Sequence, residues 1–566
     1  MRKTLVNSRK GCSTLNQFIK VKFYNFKDFL VLILPFLGFA SFLVLKIHEN
    51  FVNVPFYDEW IFMDKHISNA AVFNFSIQNM FSPHNEHVLA VNYLFYYISF
   101  WMEALDFSKL IFIFVVFSSA SFLIILKQSS SLSTGDRILF SCLTGSTIFS
   151  VQNYENWTWP FQLPWFSMLF FSILSFYYLQ KFIRNKRVVY LIPIICFSLV
   201  ATLSMANGIL SGLVCLIIIM FEGRGNIKIK KPIIYYFLGT IITFSFISVV
   251  LITKPWIQSI ASWEKCYGRA ILALDGFSVI FSVPIANFNF LVCRITGLVC
   301  LILLLFIVYN VFLKKKCLPL DCKNKVFFAS LLLFVVSSCF LICLSRADLG
   351  GANYIFTCSR YTGLSGLIWP LVFYFTSISN KKNVIFKYVF FFSFFFLYLI
   401  SAQESLKWWN HRRSINNQIQ AAFLISDLPE PIFLNQFKTE IHNVGFINFS
   451  LSEKLRFSKA NLFKKLGYTE NTGQNIGHVD RVEAMQFDGY KTFYRITGWA
   501  GSKSSGLVTS VKYTNLYVDN ELLGSPIITI PRLDVKNALL AKTDKFGWEF
   551  FSTNSKVLNL RGLYQK

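Results

Sequence analysis

The sequence predicts a mainly α-helical membrane protein with about eleven crossings and a small β-sandwich after the last one. Three observations carry that prediction. Apolar runs of roughly 17–25 residues recur along the chain, the length needed to cross about 30 Å of hydrocarbon. Lysines and arginines cluster in the segments between those runs, as basic residues retained on the cytoplasmic side do. Past residue 480 the pattern changes to short alternating stretches broken by turn residues, the signature of strands.

Of 566 residues, 54% are hydrophobic, 18% aromatic and 15% charged, with a mean hydropathy of +0.49. A soluble domain carries about a quarter charged residues. The net charge of +26 would suggest a nucleic-acid partner in a soluble protein. Here the charge lies at Lys20-Lys22-Lys27, Arg184-Lys186-Arg187, Lys228-Lys230-Lys231, Lys314-Lys315-Lys316 and Lys381-Lys382, so it reports topology, and no nucleic acid is expected. All 12 cysteines precede residue 359, none at metal spacing, and Cys317 and Cys322 read as free thiols in a basic loop.

Residues 1–28 read as a cytoplasmic segment ahead of an uncleaved first span. Spans are predicted near 29–45, 110–126, 138–152, 159–181, 188–206, 209–221, 232–252, 291–313, 326–344, 361–378 and 388–402. With the N-terminus inside, this count puts every basic cluster in the cytoplasm. Counting 88–102 as a further span would turn the basic loop 182–187 outward, so 88–102 is predicted to lie on the outer interface as an amphipathic helix. The membrane domain is then 29–402, with an outer loop at 46–109. A helical connector (403–479) carries the interfacial Trp408-Trp409, and 480–566 forms the sandwich. Within the latter, 507–511 and 516–518 read as strands, and Asp519-Asn520 and Gly547 as turns.

Ionisable groups near a bilayer are costly and therefore informative. They gather in three outer segments. The first holds Asp58-Glu59-Trp60 and, further on, His84-Asn85-Glu86-His87. Two carboxylates at the edge of a low-dielectric layer suit a general base for a sugar hydroxyl; a solvated acid pair beside an interfacial Trp is the alternative. His84, Glu86 and His87 suit structural hydrogen bonds better than a metal, since their spacing lacks further ligands.

The second segment is 152–162, with Glu155, Trp157, Trp159 and Gln162. Its aromatics and amides suit a sugar ring; a belt of interfacial anchors is the alternative. The third carries Arg346, Asp348, Arg360 and Tyr361. Outward arginines suit a lipid phosphate, unless Arg346 simply pairs with Asp348 and Arg360 snorkels.

Together, Asp58-Glu59, His84-Asn85-Glu86-His87, Glu155-Asn156-Trp157, Phe161-Gln162 and Arg346…Arg360-Tyr361 resemble the GT-C type glycosyltransferases that use polyprenyl-phosphate sugars. The resemblance spans nearly the whole chain. Within that class it is most similar to bacterial O-antigen glucosyltransferases of the phage serotype-converting kind. Tyr494-Arg495, Gly498-Trp499-Ala500, Val518-Asp519, Arg532, Asp534-Val535 and Gly547-Trp548 resemble the sandwich attached to such enzymes.

The resemblance implies a bacterial inner-membrane protein with its C-terminal domain in the periplasm. A hexose, glucose by analogy, would pass from undecaprenyl phosphate to a lipopolysaccharide O-antigen sugar. Asp58 would be the base, with Glu59 or Glu155 orienting it. Arg346, Arg360 and Tyr361 would hold the donor phosphate, and Trp60, His84, Glu86, His87, Trp157, Trp159 and Gln162 would line the substrate site. No cofactor or metal is implied. The competing expectation is a transporter or flippase of lipid-linked sugars, which would place charged residues such as Arg294 along a pathway through the spans; a third is a surface protein that binds through its sandwich.

Overall fold

The computed structural model describes residues 26–51, 58–59, 62, 66, 75–84, 87–103, 107–223, 263–309, 324–379, 383–425, 474–485, 493–504, 507–510, 516–518, 521–524, 530–538 and 545–552. Among them, seven helical segments are long and apolar enough to cross a membrane, so the chain is a polytopic membrane protein.

The first is α1 (Phe26–Asn50). A two-strand hairpin follows, β1 (Pro83–His84) on β2 (His87–Val88), and then α2 (Ala90–Glu103), α3 (Phe107–Gln128), α4 (Thr134–Ile148), the short α5 (Tyr154–Thr158), α6 (Leu163–Asn185), α7 (Leu191–Ser204) and α8 (Ile209–Gly223). After residue 262 come α9 (Trp263–Ile280), α10 (Phe290–Val308), α11 (Lys325–Ser345), α12 (Ala352–Thr357), α13 (Ile368–Ser379) and α14 (Val384–Ile425).

A helix lies at each predicted span except 232–252, which is outside the described residues together with Cys317 and Cys322; those at 138–152, 188–206 and 209–221 are shorter than the seven that can cross. Two differ in shape. The span at 361–378 is interrupted at Gly366-Leu367 before α13 begins. The last span does not stop at 402: α14 runs unbroken for 42 residues, about 63 Å at 1.5 Å per residue, so it joins the span to the predicted connector.

α2 has 14 residues, about 21 Å, which falls short of the hydrocarbon thickness. Its apolar Leu94, Ile98 and Trp101 face outward, whereas Asn92, Tyr93, Tyr96 and Ser99 are buried. α9 was not anticipated, because Glu264, Arg269 and Asp275 interrupt its apolar pattern. Two of those charges are neutralised across helices: Arg269 pairs with Asp348, and Asp275 with Arg294. Gly297 lets α10 approach α9 so closely that a Cβ there would lie 1.7 Å from the Ser278 carbonyl oxygen.

Lipid tails are as apolar as leucine, so helix association depends on interlocked packing and hydrogen bonds. The chain supplies both. Phe114 stacks on Phe166 at 4.6 Å and Phe117 on Phe170 at 5.0 Å, joining α3 to α6. Ser141 Oγ donates to the Leu32 carbonyl at 2.8 Å, tying α4 to α1. Gln180 Nε2 donates to both Gln128 Oε1 and Asn324 Oδ1 at 2.9 Å, fastening α6 to α3 and to the start of α11. Buried Lys387 pairs with Asp136 at 2.9 Å.

The C-terminal strands are β3 (Gln474–Met485), β4 (Phe493–Ser504), β5 (Leu507–Ser510), β6 (Leu516–Val518), β7 (Glu521–Gly524), β8 (Ile530–Pro531) and, after the short α15 (Leu533–Ala538), β9 (Lys545–Ser552). One antiparallel sheet has the order β3-β4-β9-β8, with β5 also on β4; β6 and β7 form a separate hairpin. The sheet begins at Gln474 rather than 480, because the polar Gln474–His478 run lacks alternation yet pairs with 499–503. Gly547 is no turn: it sits inside β9 opposite Trp499 and Ile530. Asp519-Asn520 lie outside the described residues.

Candidate functional site

Residues 150–162 fold as a compact hairpin of short turns. Ser150 Oγ caps the first, accepting from Gln152 N at 3.2 Å, and Pro160 opens the last. Between them α5 presents Glu155 and Asn156 to the segment just before α13. The contact is a zipper in which every bond uses at least one side chain. Glu155 N–H donates to Ser359 Oγ at 3.2 Å, and Ser359 Oγ and the Arg360 N–H each donate to Glu155 Oε2 at 3.0 Å. Asn156 Nδ2 returns a bond to the Arg360 carbonyl at 2.8 Å.

This arrangement holds the Arg360 guanidinium beside Glu155, with Nε 3.9 Å from Oε2 and the side chain 29% exposed. The guanidinium also lies over the rings of Trp159, at 5.9 Å, and Tyr361, at 6.0 Å. Arg346 Nε donates to the Tyr361 hydroxyl at 3.3 Å, so both predicted arginines converge on one tyrosine. Asp348 turns instead to Arg269 of α9, accepting from its Nε at 2.9 Å, rather than to Arg346, the alternative pairing that the sequence offered.

The first loop reaches the same place through aromatic contacts. Phe161 stacks against Trp159 at 6.2 Å and meets the edge of His84 at 5.1 Å. His84 Nε2 lies 4.0 Å from the Asp58 carboxylate. His84 and His87 face each other across the β1–β2 hairpin, not along a helix. Among the described residues, no group of three or more His, Cys, Asp or Glu is placed to hold a metal.

The two acids differ sharply. Asp58 is 37% exposed. Glu59 is fully buried and accepts a hydrogen bond from Tyr96, whose phenol is held well above its ordinary range by burial and by the Glu59 charge. Burial likewise pushes up the Tyr154 and Tyr354 phenols and the Cys358 thiol. Burial therefore disfavours the Cys358 thiolate, although Arg360 opposes that shift.

Successive contacts thus link Asp58 through His84 and Phe161 to Trp159, Arg360 and Glu155, with Tyr361 and Arg346 beside Arg360, while Trp60 and Glu86 lie outside the described residues. His87 stays on the hairpin behind His84. Trp157 needs correction: it is fully buried, donates to the Ser150 carbonyl at 3.0 Å and packs on Phe166 at 4.6 Å. It is a core residue that cannot present a face to a sugar. Gln162 is buried as well, at 6% exposure. Sequence reasoning missed Tyr96, Arg269 and the linking role of Phe161. Tyr96 and Arg269 lie in segments without a predicted site, and Phe161 enters the sequence reading only through the family resemblance.

Comparison with protein-family models, curated proteins and solved structures finds no match for this chain. Its class therefore rests on its own residues: a polytopic membrane protein in which acids, arginines and aromatics of the segments between helices are linked by contacts.

Proposed function

We propose that this chain is a GT-C type membrane glycosyltransferase that moves a hexose, glucose in the first instance, from undecaprenyl phosphate to a lipopolysaccharide O-antigen sugar. The reading includes eleven crossings of a bacterial inner membrane, a cytoplasmic N-terminus, and a periplasmic C-terminal domain folded as a sandwich. One observation carries it: the unbroken set of contacts from Asp58 through His84, Phe161 and Trp159 to Arg360 and Glu155. That chain links an acid able to act as a base to an arginine able to bind phosphate.

In this scheme Asp58, the more exposed acid, takes the proton from the acceptor hydroxyl. The acceptor oxygen bonds to the anomeric carbon as the bond from that carbon to the phosphate oxygen breaks. The leaving lipid phosphate needs no proton, so a single base suffices for inversion, unlike the paired carboxylates of glycosidases. Arg360 and Arg346 stabilise the charge growing on that phosphate. Removing either costs about 2–4 kcal/mol in the transition state, as for other preorganised donors. Glu59, buried against Tyr96, supports the loop rather than the reaction.

The test supplies labelled polyprenyl-phosphate sugar to membranes containing the chain or its Asp58→Asn variant, with lipopolysaccharide as acceptor. Label on the acceptor that is lost in D58N supports transfer. Label that only crosses the bilayer favours a flippase and overturns the proposal, as does a D58N variant that transfers at the parental rate.

A further inference from the structure

Arg360 lines a cavity of about 30 Å³ together with Asn153, Asn156 and mostly apolar walls that include Ile148, Phe166 and Leu169. Asn153 and Asn156 are each 2% exposed. Among the described residues, nothing hydrogen-bonds to Asn153 Oδ1, Asn156 Oδ1 or Arg360 Nε, all of them buried. The amide orientation of Asn156 is fixed, because its Nδ2 is committed to the Arg360 carbonyl at 2.8 Å. Gly363 leaves room for the Asn153 side chain: a Cβ there would lie 2.6 Å from Asn153 Nδ2.

Buried polar groups normally have partners, and each exception calls for an explanation. The wall chemistry selects one. A cation suits two carbonyl oxygens but not a guanidinium beside them. An anion suits the guanidinium but not the carbonyl oxygens. An apolar guest would leave the two carbonyl oxygens and the Nε–H without a hydrogen-bond partner, which is unfavourable for buried polar groups. A small neutral molecule with two donors and an acceptor satisfies all three. A water molecule needs roughly 10–15 Å³ and about three bonds, so the space admits two or three by volume, one of them at these three atoms.

We propose that this cavity is a water-binding site, in which a buried water donates to Asn153 Oδ1 and Asn156 Oδ1 and accepts from Arg360 Nε. The water anchors the guanidinium while the zipper to Glu155 fixes its backbone. Asn153 is thereby a positioning residue for Arg360. The hydration stands apart from glycosyl transfer; only the purpose of holding Arg360 rests on that reading.

Asn153→Leu in the full chain, held in lipid nanodiscs, separates a wet cavity from a dry one by the sign of the change in Tm. In a wet cavity Leu expels the water and strips Arg360 Nε and Asn156 Oδ1 of their partner, so Tm falls. In a dry one Leu removes an unpaired acceptor and fills space, so an unchanged or higher Tm overturns the proposal. Should the variant fail to fold, a high-resolution map of the parent chain decides. Density within hydrogen-bonding reach of all three atoms supports the proposal, and a cavity without density overturns it. Both readouts are independent of transfer, so a chain that transfers no sugar can still hold the water, and the reverse.

Discussion

Arg269 grips Asp348 from a helix 79 residues earlier, its Nε 2.9 Å from Oδ1, and so fixes the turn that starts at Arg346. Gly350, at φ +116°, and Gly351, at φ +55°, complete that turn in the left-handed region, where side chains are disfavoured. The pair is partly exposed, at 31% and 56%, and such pairs contribute about 0–1 kcal/mol. Asp348→Asn should therefore lower global stability by less than about 1 kcal/mol. Exchanging the two residues should recover part of that loss in a double-mutant cycle. A loss of several kcal/mol on unfolding in detergent would show that the turn is more than locally held.

Glu155 should be costlier to remove. Glu155→Ala leaves Ser359 Oγ, the Arg360 N–H and a half-buried guanidinium without their shared acceptor, a loss of roughly 2–3 kcal/mol. Glu155→Gln keeps an acceptor but not the charge, and should fall between the parent and Ala. Unfolding titrations of the three chains check the order.

Trp157→Phe should separate a core residue from a sugar platform. The change keeps packing on Phe166 but deletes the bond to the Ser150 carbonyl, costing about 1–2 kcal/mol. Trp157→Ala should cost roughly 3–5 kcal/mol by opening a cavity. A sugar platform would instead raise KM while leaving stability unchanged.

At the C-terminal sheet, Asp534 accepts from Arg532, and this bond is the main reason its carboxyl is held at about 2, below the ordinary 3.8. A depressed acid stabilises the fold above its unfolded value and loses that contribution as pH falls through its folded value. Amide protection of Leu533–Ala538, corrected for intrinsic exchange, should thus weaken between about pH 4 and pH 2. Asp534→Asn should abolish the change across that window.

Gly297→Val should block assembly of α9 on α10, since even a Cβ would meet the Ser278 carbonyl oxygen at 1.7 Å. The expected outcome is poor accumulation in membranes, read by immunoblot, with Gly297→Ala less severe than Val.

Much of the architecture was legible because lipid imposes a simple rule. Every backbone polar group must be paired within its own segment, so crossing helices announce themselves as long apolar runs. The same rule explains α9, whose Arg269 and Asp275 look unsuited to a bundle until partners on other segments neutralise them. It explains as well why the last span was cut short at 402, although α14 continues to Ile425 past the polar residues of its second half.

The sequence by itself determined that this is a polytopic membrane protein, where most helices fall, and that Asp58, Glu155, Arg346 and Arg360 are unusual in their settings. Only the tertiary structure decided which of them meet. It buried Glu59 against Tyr96, left Asp58 beside His84, moved Trp157 into the core and gave Asp348 to Arg269. Hydropathy is a property of successive residues and survives in the chain as a pattern. Pairing across some 200 positions, as between Glu155 and Arg360, depends on how helices pack and leaves no mark on local order.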